Sequence, residues 1–261
     1  MILPRGKGAM ADARPASELT KRVITAIVML LVSGTALWLG GIAWTVFVLI
    51  IGIGVWFEWS ALCLLIFAPG GKRTAWRCGG AVYCGIACAA LMALRDLPIG
   101  MFWVLLIAGT VIATDVGAYA FGRLIGGPKI APSISPSKTW AGLVGGMAAS
   151  ALVSAYLISR LADQGFVSAM SSAPTALEDT YVVVAAPFGG IAAFALVGAL
   201  IAIVAQAGDF FESWMKRRAG VKDSGRSLPG HGGLFDRVDG LLLVLFVFGN
   251  LILISQLAGG V

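Results

Sequence analysis

Long apolar stretches separated by short polar segments run along most of the chain. A helix needs about 20 largely apolar residues to cross about 30 Å of hydrocarbon, and it satisfies its own backbone hydrogen bonds there. The pattern predicts an all-α, polytopic integral membrane protein with about seven transmembrane helices, in a range of six to nine. The predicted spans are Val23–Gly40, Ile42–Leu65, Cys78–Leu94, Pro98–Tyr119, Ala141–Ser159, Tyr181–Ala207 and Leu241–Ala258.

The positive charges predict the orientation of these spans. Cytoplasmic loops of membrane proteins are enriched in Lys and Arg. All but two of the 19 Lys and Arg residues fall in the N-terminal tail or near the loops after the second, fourth and sixth spans, the exceptions being Arg95 and Arg160. We therefore expect a cytoplasmic N-terminus. The net charge of +6 is then a topology signal and does not indicate a nucleic-acid partner.

The composition supports the membrane assignment. Only 12% of residues are charged and 59% are hydrophobic, whereas a soluble domain carries about 25% charged residues. Basic residues precede the first apolar run, as in a signal peptide, but the run continues through Gly40 and Gly41 into a second span. We therefore expect it to remain uncleaved. The four cysteines show no metal-binding spacing.

Acidic residues within spans are candidates for function, because an ionised group in a bilayer is costly. Glu58, in the second predicted span, is interpreted as a helix-packing carboxylate that bonds to a neighbour, or as an interfacial residue near the cytoplasmic end, with a functional role as the alternative. Asp115 lies near the cytoplasmic end of the fourth span, and Tyr119 and Arg123 follow it on the same helical face. An acid, a phenol and a cation on one face favour a substrate-binding role.

The densest group of ionisable residues lies between Gly208 and Gly240. Carboxylate oxygens are the ligands that Mg²⁺ prefers, and cations beside them suit polyphosphate. The segment therefore predicts a phosphoryl or nucleotidyl transfer site, and the alternative is a solvated loop with structural ion pairs. Its ionisable residues are Asp209, Glu212, Lys216, Arg217, Arg218, Lys222, Asp223, Arg226, His231, Asp236, Arg237 and Asp239.

A second polar segment joins the fourth and fifth predicted spans. It has no GxxxxGK[ST] pattern and follows no strand, so a P-loop is excluded. Lys138, with Ser135 and Thr139, is expected to donate to phosphate oxygens, and Pro136 is expected to stiffen the turn. The prediction gains weight because the Asp-rich segment lies on the same side of the membrane.

At these residues the chain resembles the phosphatidate cytidylyltransferase (CDP-diacylglycerol synthase) family. The segment Ser213–Asp239, which reads SWMKRRAGVKDSGRSLPGHGGLFDRVD, matches the family signature at every fixed position. The segments DVGAYAFGR and SPSKT also resemble the family. The resemblance therefore extends from about Ile112 to the C-terminus.

The resemblance implies the reaction CTP + phosphatidate → CDP-diacylglycerol + diphosphate, with Mg²⁺ and room for a second cation such as K⁺. It implies that Asp209 and Asp236 bind metal, with Asp223 and Asp239 as further ligands or outer neighbours. His231 is expected to donate a hydrogen bond within a rigid turn. The implied catalytic residues are Asp209, Lys222, Asp223, His231, Asp236 and Asp239, and the implied substrate-binding residues are Asp115, Tyr119, Arg123, Ser135, Lys138, Thr139, Lys216, Arg217, Arg226 and Arg237.

The expected organisation is a cytoplasmic tail (1–22), N-terminal transmembrane helices (23–110) and a catalytic transmembrane region (111–261) with cytoplasmic loops 120–140 and 208–240. The site would face the cytoplasm at the cell inner membrane and take CTP from solution and phosphatidate from the bilayer, with no nucleic acid involved. The sequence leaves a homodimer open. A CTP-dependent polyprenol or lipid kinase is the alternative function, and a transporter is less favoured because the charges crowd one surface.

Overall fold

The structure is a computed structural model that describes residues 15–97, 99–163, 191–228, 230 and 232–258, with side chains for 20–97, 99–161, 191–228, 230 and 232–250. The described residues form seven α-helices and one two-stranded hairpin. The helices are α1 Pro15–Leu39, α2 Gly41–Ile66, α3 Gly71–Asp96, α4 Gly100–Leu124, α5 Trp140–Asp163, α6 Ile191–Ala219 and α7 Phe235–Ala258. Strands β1 Lys129–Ala131 and β2 Ser135–Thr139 join α4 to α5.

Each predicted span overlaps one helix, and six of the described helices are long and apolar enough to cross a membrane. The prediction of an all-α polytopic membrane protein is confirmed. Residues 181–190 of the sixth predicted span lie outside the described residues, as do residues 1–14 of the predicted tail. The rest of that tail, from Pro15, is already part of α1.

Both predicted cytoplasmic loops are shorter in the structure than the sequence suggested. α6 continues to Ala219 and α7 begins at Phe235, so the predicted loop 208–240 shrinks to 220–234. α6 ends where Gly220 adopts a positive φ of 71°, and the Val221 amide closes the helix on Lys216 O at 3.0 Å. The predicted loop 120–140 contains the end of α4, the hairpin and the first residue of α5.

The third predicted span is also longer than expected, because α3 begins at Gly71 and includes Lys72 and Arg73. The last carbonyl groups of a helix have no partner within that helix. Arg73 Nε and Nη2 donate to Phe67 O at 2.9 and 2.6 Å, where α2 ends. The cation therefore joins the end of one helix to the first turn of the next.

Five helices form a closed ring in which neighbours are in contact: α3 with α7, α7 with α6, α6 with α5, α5 with α4, and α4 with α3. α2 packs mainly on α3. α1 packs mainly on α2, and its described side chains are largely exposed. The core on the α2–α3–α7 side is rich in aromatic rings, with Trp59 contacting Trp76, Tyr83, Phe211 and Phe235.

Small residues allow α4, α5 and α6 to approach closely, as is common in membrane proteins. A Cβ on Gly117 would lie 2.6 Å from both Ala149 Cβ and Gly145 O of α5. Ser150, also on α5 and fully buried, donates from Oγ to Gly198 O of α6 at 2.7 Å. These contacts hold the three helices that enclose the polar end described below.

The connection between α4 and α5 is an antiparallel hairpin, which the sequence did not predict. Its strands pair Lys129 with Thr139 and Ala131 with Ser135. Pro136 lies within β2, so the prediction that it stiffens a turn was wrong, and the turn is formed by residues 132–134. A proline is tolerated in this strand because a two-stranded hairpin consists only of edge strands.

We expect Gly117→Ala to lower the thermal unfolding temperature of the purified protein in detergent. The added methyl group overlaps α5, and overpacking of this kind typically costs about 1–3 kcal/mol. Gly109→Ala, on the same helix with nothing within 4 Å of its Cβ position, is the matched control and should have no such effect. Equal unfolding temperatures for the two variants would contradict the packing of α4 on α5.

Candidate active site

A polar cavity of about 770 Å³ opens between α4, α5, α6, the hairpin and the start of α7. It brings together residues that lie far apart in sequence, from α4 to α7. Most of the residues predicted from the sequence line it. They are Asp115, Tyr119, Arg123, Lys138, Thr139, Asp209, Lys216, Arg217, Lys222, Asp223, Asp236, Arg237 and Asp239.

Three predicted residues are not among them. Ser135 and Arg226 are described, and both lie outside the cavity lining. Ser135 is buried in the hairpin opposite Ala131, and Ser137 lines the cavity in its place. His231 lies outside the described residues, so its role as a hydrogen-bond donor stays a prediction.

The α4 wall carries the acid, phenol and cation that the helical spacing predicted. Asp115, Tyr119 and Arg123 all line the cavity. Arg123 Nη1 donates to the Tyr119 hydroxyl at 2.7 Å, and the guanidinium carbon lies 5.9 Å from the centre of the tyrosine ring. The two side chains thus hold each other at the rim of the cavity.

The hairpin presents Lys138 to the carboxylates of α6. Thr139, the last residue of β2, caps α5, because its hydroxyl oxygen accepts a hydrogen bond from the Gly142 amide at 3.0 Å. Lys138, one residue earlier, forms an ion pair with Asp209. Arg217 of α6 donates to Ile134 O at 3.3 Å and thus joins the hairpin turn to α6.

Three carboxylates form the acidic centre of the cavity. One oxygen from each of Asp209, Glu212 and Asp239 lies within 4.8 Å of the other two. Glu212 is 1% exposed, and its Oε1 atom has no hydrogen-bond partner among the described residues. An unpartnered buried carboxylate oxygen is costly. This donor set therefore fits a hard divalent cation, which takes oxygen ligands.

Asp236, which the sequence suggested as a metal ligand, is already bonded to the protein. Lys216 Nζ donates to it at 2.8 Å, and the amides of Ser224 and Gly233 donate to it at 3.1 and 2.8 Å. Lys216 also forms an ion pair with Glu212 one turn earlier on α6. The structure thus groups Glu212 with Asp209 and Asp239, while Asp236 and Asp223 line the cavity outside this group.

Glu212 and Gln206 line the cavity but were not selected from the sequence. Glu212 was interpreted only as the helical ion-pair partner of Lys216, although it lies three residues after Asp209 and thus on the same helical face. Gln206 lies one turn before Asp209 and lines the cavity. Its side chain is 3% exposed, with both amide atoms unpaired among the described residues.

Glu58 lies outside the cavity lining but is bonded to the loop that forms its wall. Its carboxylate accepts hydrogen bonds from Ser224, Ser227, Leu234 and Phe235. The interpretation as a hydrogen-bonded carboxylate is confirmed. Its partners, however, lie more than 160 residues away in sequence, in and just after the loop between α6 and α7.

Comparison with known proteins shows the family to which the chain belongs. The model of the family described as "Cytidylyltransferase family" matches residues 71–255. The chain belongs to this cytidylyltransferase family. The match runs from α3 into α7 and includes every wall of the polar cavity, whereas α2 and its Glu58 precede it.

Relatives of the cytidylyltransferase chain cover nearly its whole length. A protein from Brucella suis named phosphatidate cytidylyltransferase is 36% identical over 279 residues, which cover 89% of this chain and 94% of the relative. A protein of the same name from Rickettsia bellii is 31% identical over 263 residues, covering 97% of this chain and all of the relative. The similarity thus includes the first two helices as well.

We expect Thr139→Ala to destabilise the start of α5 and the attached Lys138. Loss of a threonine cap typically costs about 1 kcal/mol, so the thermal unfolding temperature should fall. Thr139→Ser keeps the hydroxyl oxygen that accepts from Gly142 and should retain most of the stability. If the alanine and serine variants unfolded at the same temperature, the capping role would be contradicted.

Proposed function

We propose that this protein transfers the cytidylyl group of CTP to phosphatidate and releases diphosphate. The observation that carries the proposal is the polar cavity at one end of an apolar helical bundle, where three clustered carboxylates face lysines and arginines. The family membership and the names of its relatives agree with it. The enzyme is then a nucleotidyltransferase of phospholipid biosynthesis.

The proposed reaction does not require the protein to remove a proton from the attacking oxygen. A phosphomonoester has a second pKa of about 6, so the phosphatidate phosphate is largely dianionic at neutral pH. One of its oxygens attacks the α-phosphorus of CTP. The bond from that phosphorus to the oxygen that bridges it to the β-phosphate breaks, and diphosphate leaves with the electron pair. The obstacle is repulsion between two polyanions, and positioning with charge neutralisation overcomes it.

The cations of the cavity supply that neutralisation. Lys138 and Lys216 lie against the acidic centre, where they pair with Asp209, Glu212 and Asp236. Lys222, Arg217 and Arg237 line the same cavity. We assign the lysines to the triphosphate of CTP. We assign the arginines to the phosphates of CTP or of phosphatidate, since arginine can bond two phosphate oxygens at once.

Asp209, Glu212 and Asp239 would hold Mg²⁺. Their grouped oxygens and the unpartnered Glu212 Oε1 support this assignment. When bound, Mg²⁺ would neutralise polyphosphate charge and stabilise the leaving diphosphate. Asp236 then has a different role, which is to hold Lys216 and the loop amides in place.

We place the cavity at the cytoplasmic face of the bacterial inner membrane. The hairpin contacts α6 through Lys138 and Arg217, and the α6–α7 loop contacts α2 through Ser224. The hairpin and the α6–α7 loop therefore lie at one end of the bundle. Most of the described Lys and Arg residues lie in the α2–α3, α4–α5 and α6–α7 connections or in the helix turns beside them, as expected of a cytoplasmic surface. CTP would enter from the cytoplasm and phosphatidate from the bilayer.

Purified protein in detergent with phosphatidate vesicles should release diphosphate from CTP in a Mg²⁺-dependent manner. Chromatography of the lipid product should show CDP-diacylglycerol. A lipid kinase would instead release CDP and form no diphosphate. Folded protein that yields CDP, or no nucleotide product at all, would contradict the proposed reaction.

Glu212→Gln should weaken binding of Mn²⁺, used as a spectroscopic substitute for Mg²⁺, by about tenfold or more, as expected when the surroundings of a metal site are disrupted. Titration of purified protein followed by electron paramagnetic resonance measures this. Asp223→Asn removes a carboxylate that lines the cavity outside the three-carboxylate group, and it should have a smaller effect. A larger loss for Asp223→Asn would overturn the assignment of ligands.

A further inference from the structure

Glu58 accepts hydrogen bonds from four different donors. It lies near the end of α2 and is 6% exposed. Ser224 and Ser227 donate from their hydroxyl groups at 2.9 and 2.5 Å, and the amides of Leu234 and Phe235 donate at 3.0 and 2.9 Å. All four donors belong to the α6–α7 loop (described residues 220–228, 230 and 232–234) or to the first residue of α7.

The two amide bonds place the carboxylate at the N-terminus of α7. The first amides of a helix have no partner within the helix, and the positive end of its dipole favours a negative charge. Leu234 donates to Oε1 and Phe235 to Oε2, so each carboxylate oxygen holds one backbone amide. A side chain of α2 thus caps a helix that begins 177 residues later.

The loop is shaped to receive this carboxylate. A Cβ on Gly225 would overlap Glu58 Oε1, and a Cβ on Gly233 would overlap Oε2. A side chain at either position would therefore displace the carboxylate from its place in the loop. The shape of the loop at Gly225 and Gly233 thus matches the position of the Glu58 carboxylate.

The same loop residues are bonded to the active site. Ser224 gives its hydroxyl to Glu58 and its amide to Asp236. Gly233 gives its amide to Asp236, while the next two amides go to Glu58. The loop is thus held between two carboxylates, one in α2 and one in the cavity. A displacement at Glu58 would move Lys222, Asp223 and Asp236 together.

We propose that Glu58 is a positioning residue that fixes the α6–α7 loop for binding of the CTP triphosphate. This inference rests on the proposed function. It assigns a role in nucleotide binding to a helix that precedes the matched family region and contributes no residue to the cavity lining.

Glu58→Gln tests the proposal with little change of volume. A glutamine offers one acceptor oxygen and one NH₂ group, whereas Leu234 and Phe235 need an acceptor on each side. Either orientation of the amide leaves one backbone amide facing another donor. Because the loop loses a hydrogen bond to a charged group at its anchor, we expect the KM for CTP to rise about tenfold or more. The KM for phosphatidate should stay unchanged. The kcat of each variant is divided by its folded fraction, so that a loss of folded protein is not counted as a loss of activity.

Ser227 provides a milder test away from the cavity lining. Ser227→Ala removes one hydrogen bond to Glu58 and should raise the KM for CTP less than Glu58→Gln does. Ser227→Thr keeps the hydroxyl group, so its KM for CTP should stay close to that of the wild type. The double variant Glu58→Gln with Ser227→Ala should add little to Glu58→Gln alone, because both act on the same contact. Ser60→Ala changes a buried side chain of α2 that has no partner among the described residues, and it should leave the KM unchanged.

Hydrogen–deuterium exchange provides a measurement that does not depend on activity. In Glu58→Gln, exchange should increase in peptides covering residues 221–236 and remain unchanged in peptides of α4 and α5. A variant whose loop exchange and KM for CTP both match the wild type overturns the proposal, as does a loss of activity that only follows the folded fraction. Failure of the wild-type protein to form CDP-diacylglycerol would instead contradict the proposed function, while the exchange result would still report on the anchor.

Discussion

A carboxylate in or beside a membrane-spanning helix must be bonded, because hydrocarbon offers it neither water nor counterions. At the polar end of this bundle, that constraint determines how the helices and loops are connected. Glu58 joins α2 to the α6–α7 loop, Asp209 joins α6 to the hairpin, and Asp236 joins α7 to α6. The bonds that satisfy the acids are therefore also the bonds that assemble the cavity.

The acids differ in how completely the protein satisfies them. Glu58 has four donors and lies behind the cavity, so its environment is complete without a ligand. Glu212 is also buried, but one of its oxygens, beside Asp209 and Asp239, has no partner among the residues that the structure describes. Because leaving a buried acceptor unpaired is costly, the difference separates a structural anchor from a site suited to a cation.

The sequence was sufficient to predict the spans and most cavity residues. Span prediction succeeds because apolar length has a direct physical cause in bilayer thickness. Helix ends were missed where charged residues such as Arg73 and Lys216 continue a helix beyond its apolar part. The hairpin was missed because its strands are only three and five residues long and one contains Pro136.

Partner choice was beyond the reach of sequence spacing. The i,i+4 relation of Glu212 to Lys216 has an ordinary explanation in helix stability, and it concealed the proximity of Glu212 to Asp239 of another helix. The neighbours of Glu58 in sequence are mainly apolar and aromatic residues. The local sequence therefore does not indicate that its four hydrogen-bond donors lie in and just after a distant loop. Such pairings depend on the order of helices around the ring, which hydropathy does not encode.

The α6–α7 loop explains why an anchor in another helix is needed. Gly230 and Gly232 have φ values of 76° and 82°, which suit glycine, and glycine loses more conformational freedom on ordering than any other residue. Among the described loop residues, the amide of Leu228 bonds to Gly232 O at 2.9 Å, and this bond joins the loop to itself rather than to α2 or to the cavity. Lys222 and Asp223 can face a polyphosphate reproducibly only if both ends are held. α6 holds one end, and the carboxylates of Glu58 in α2 and Asp236 in the cavity hold the other.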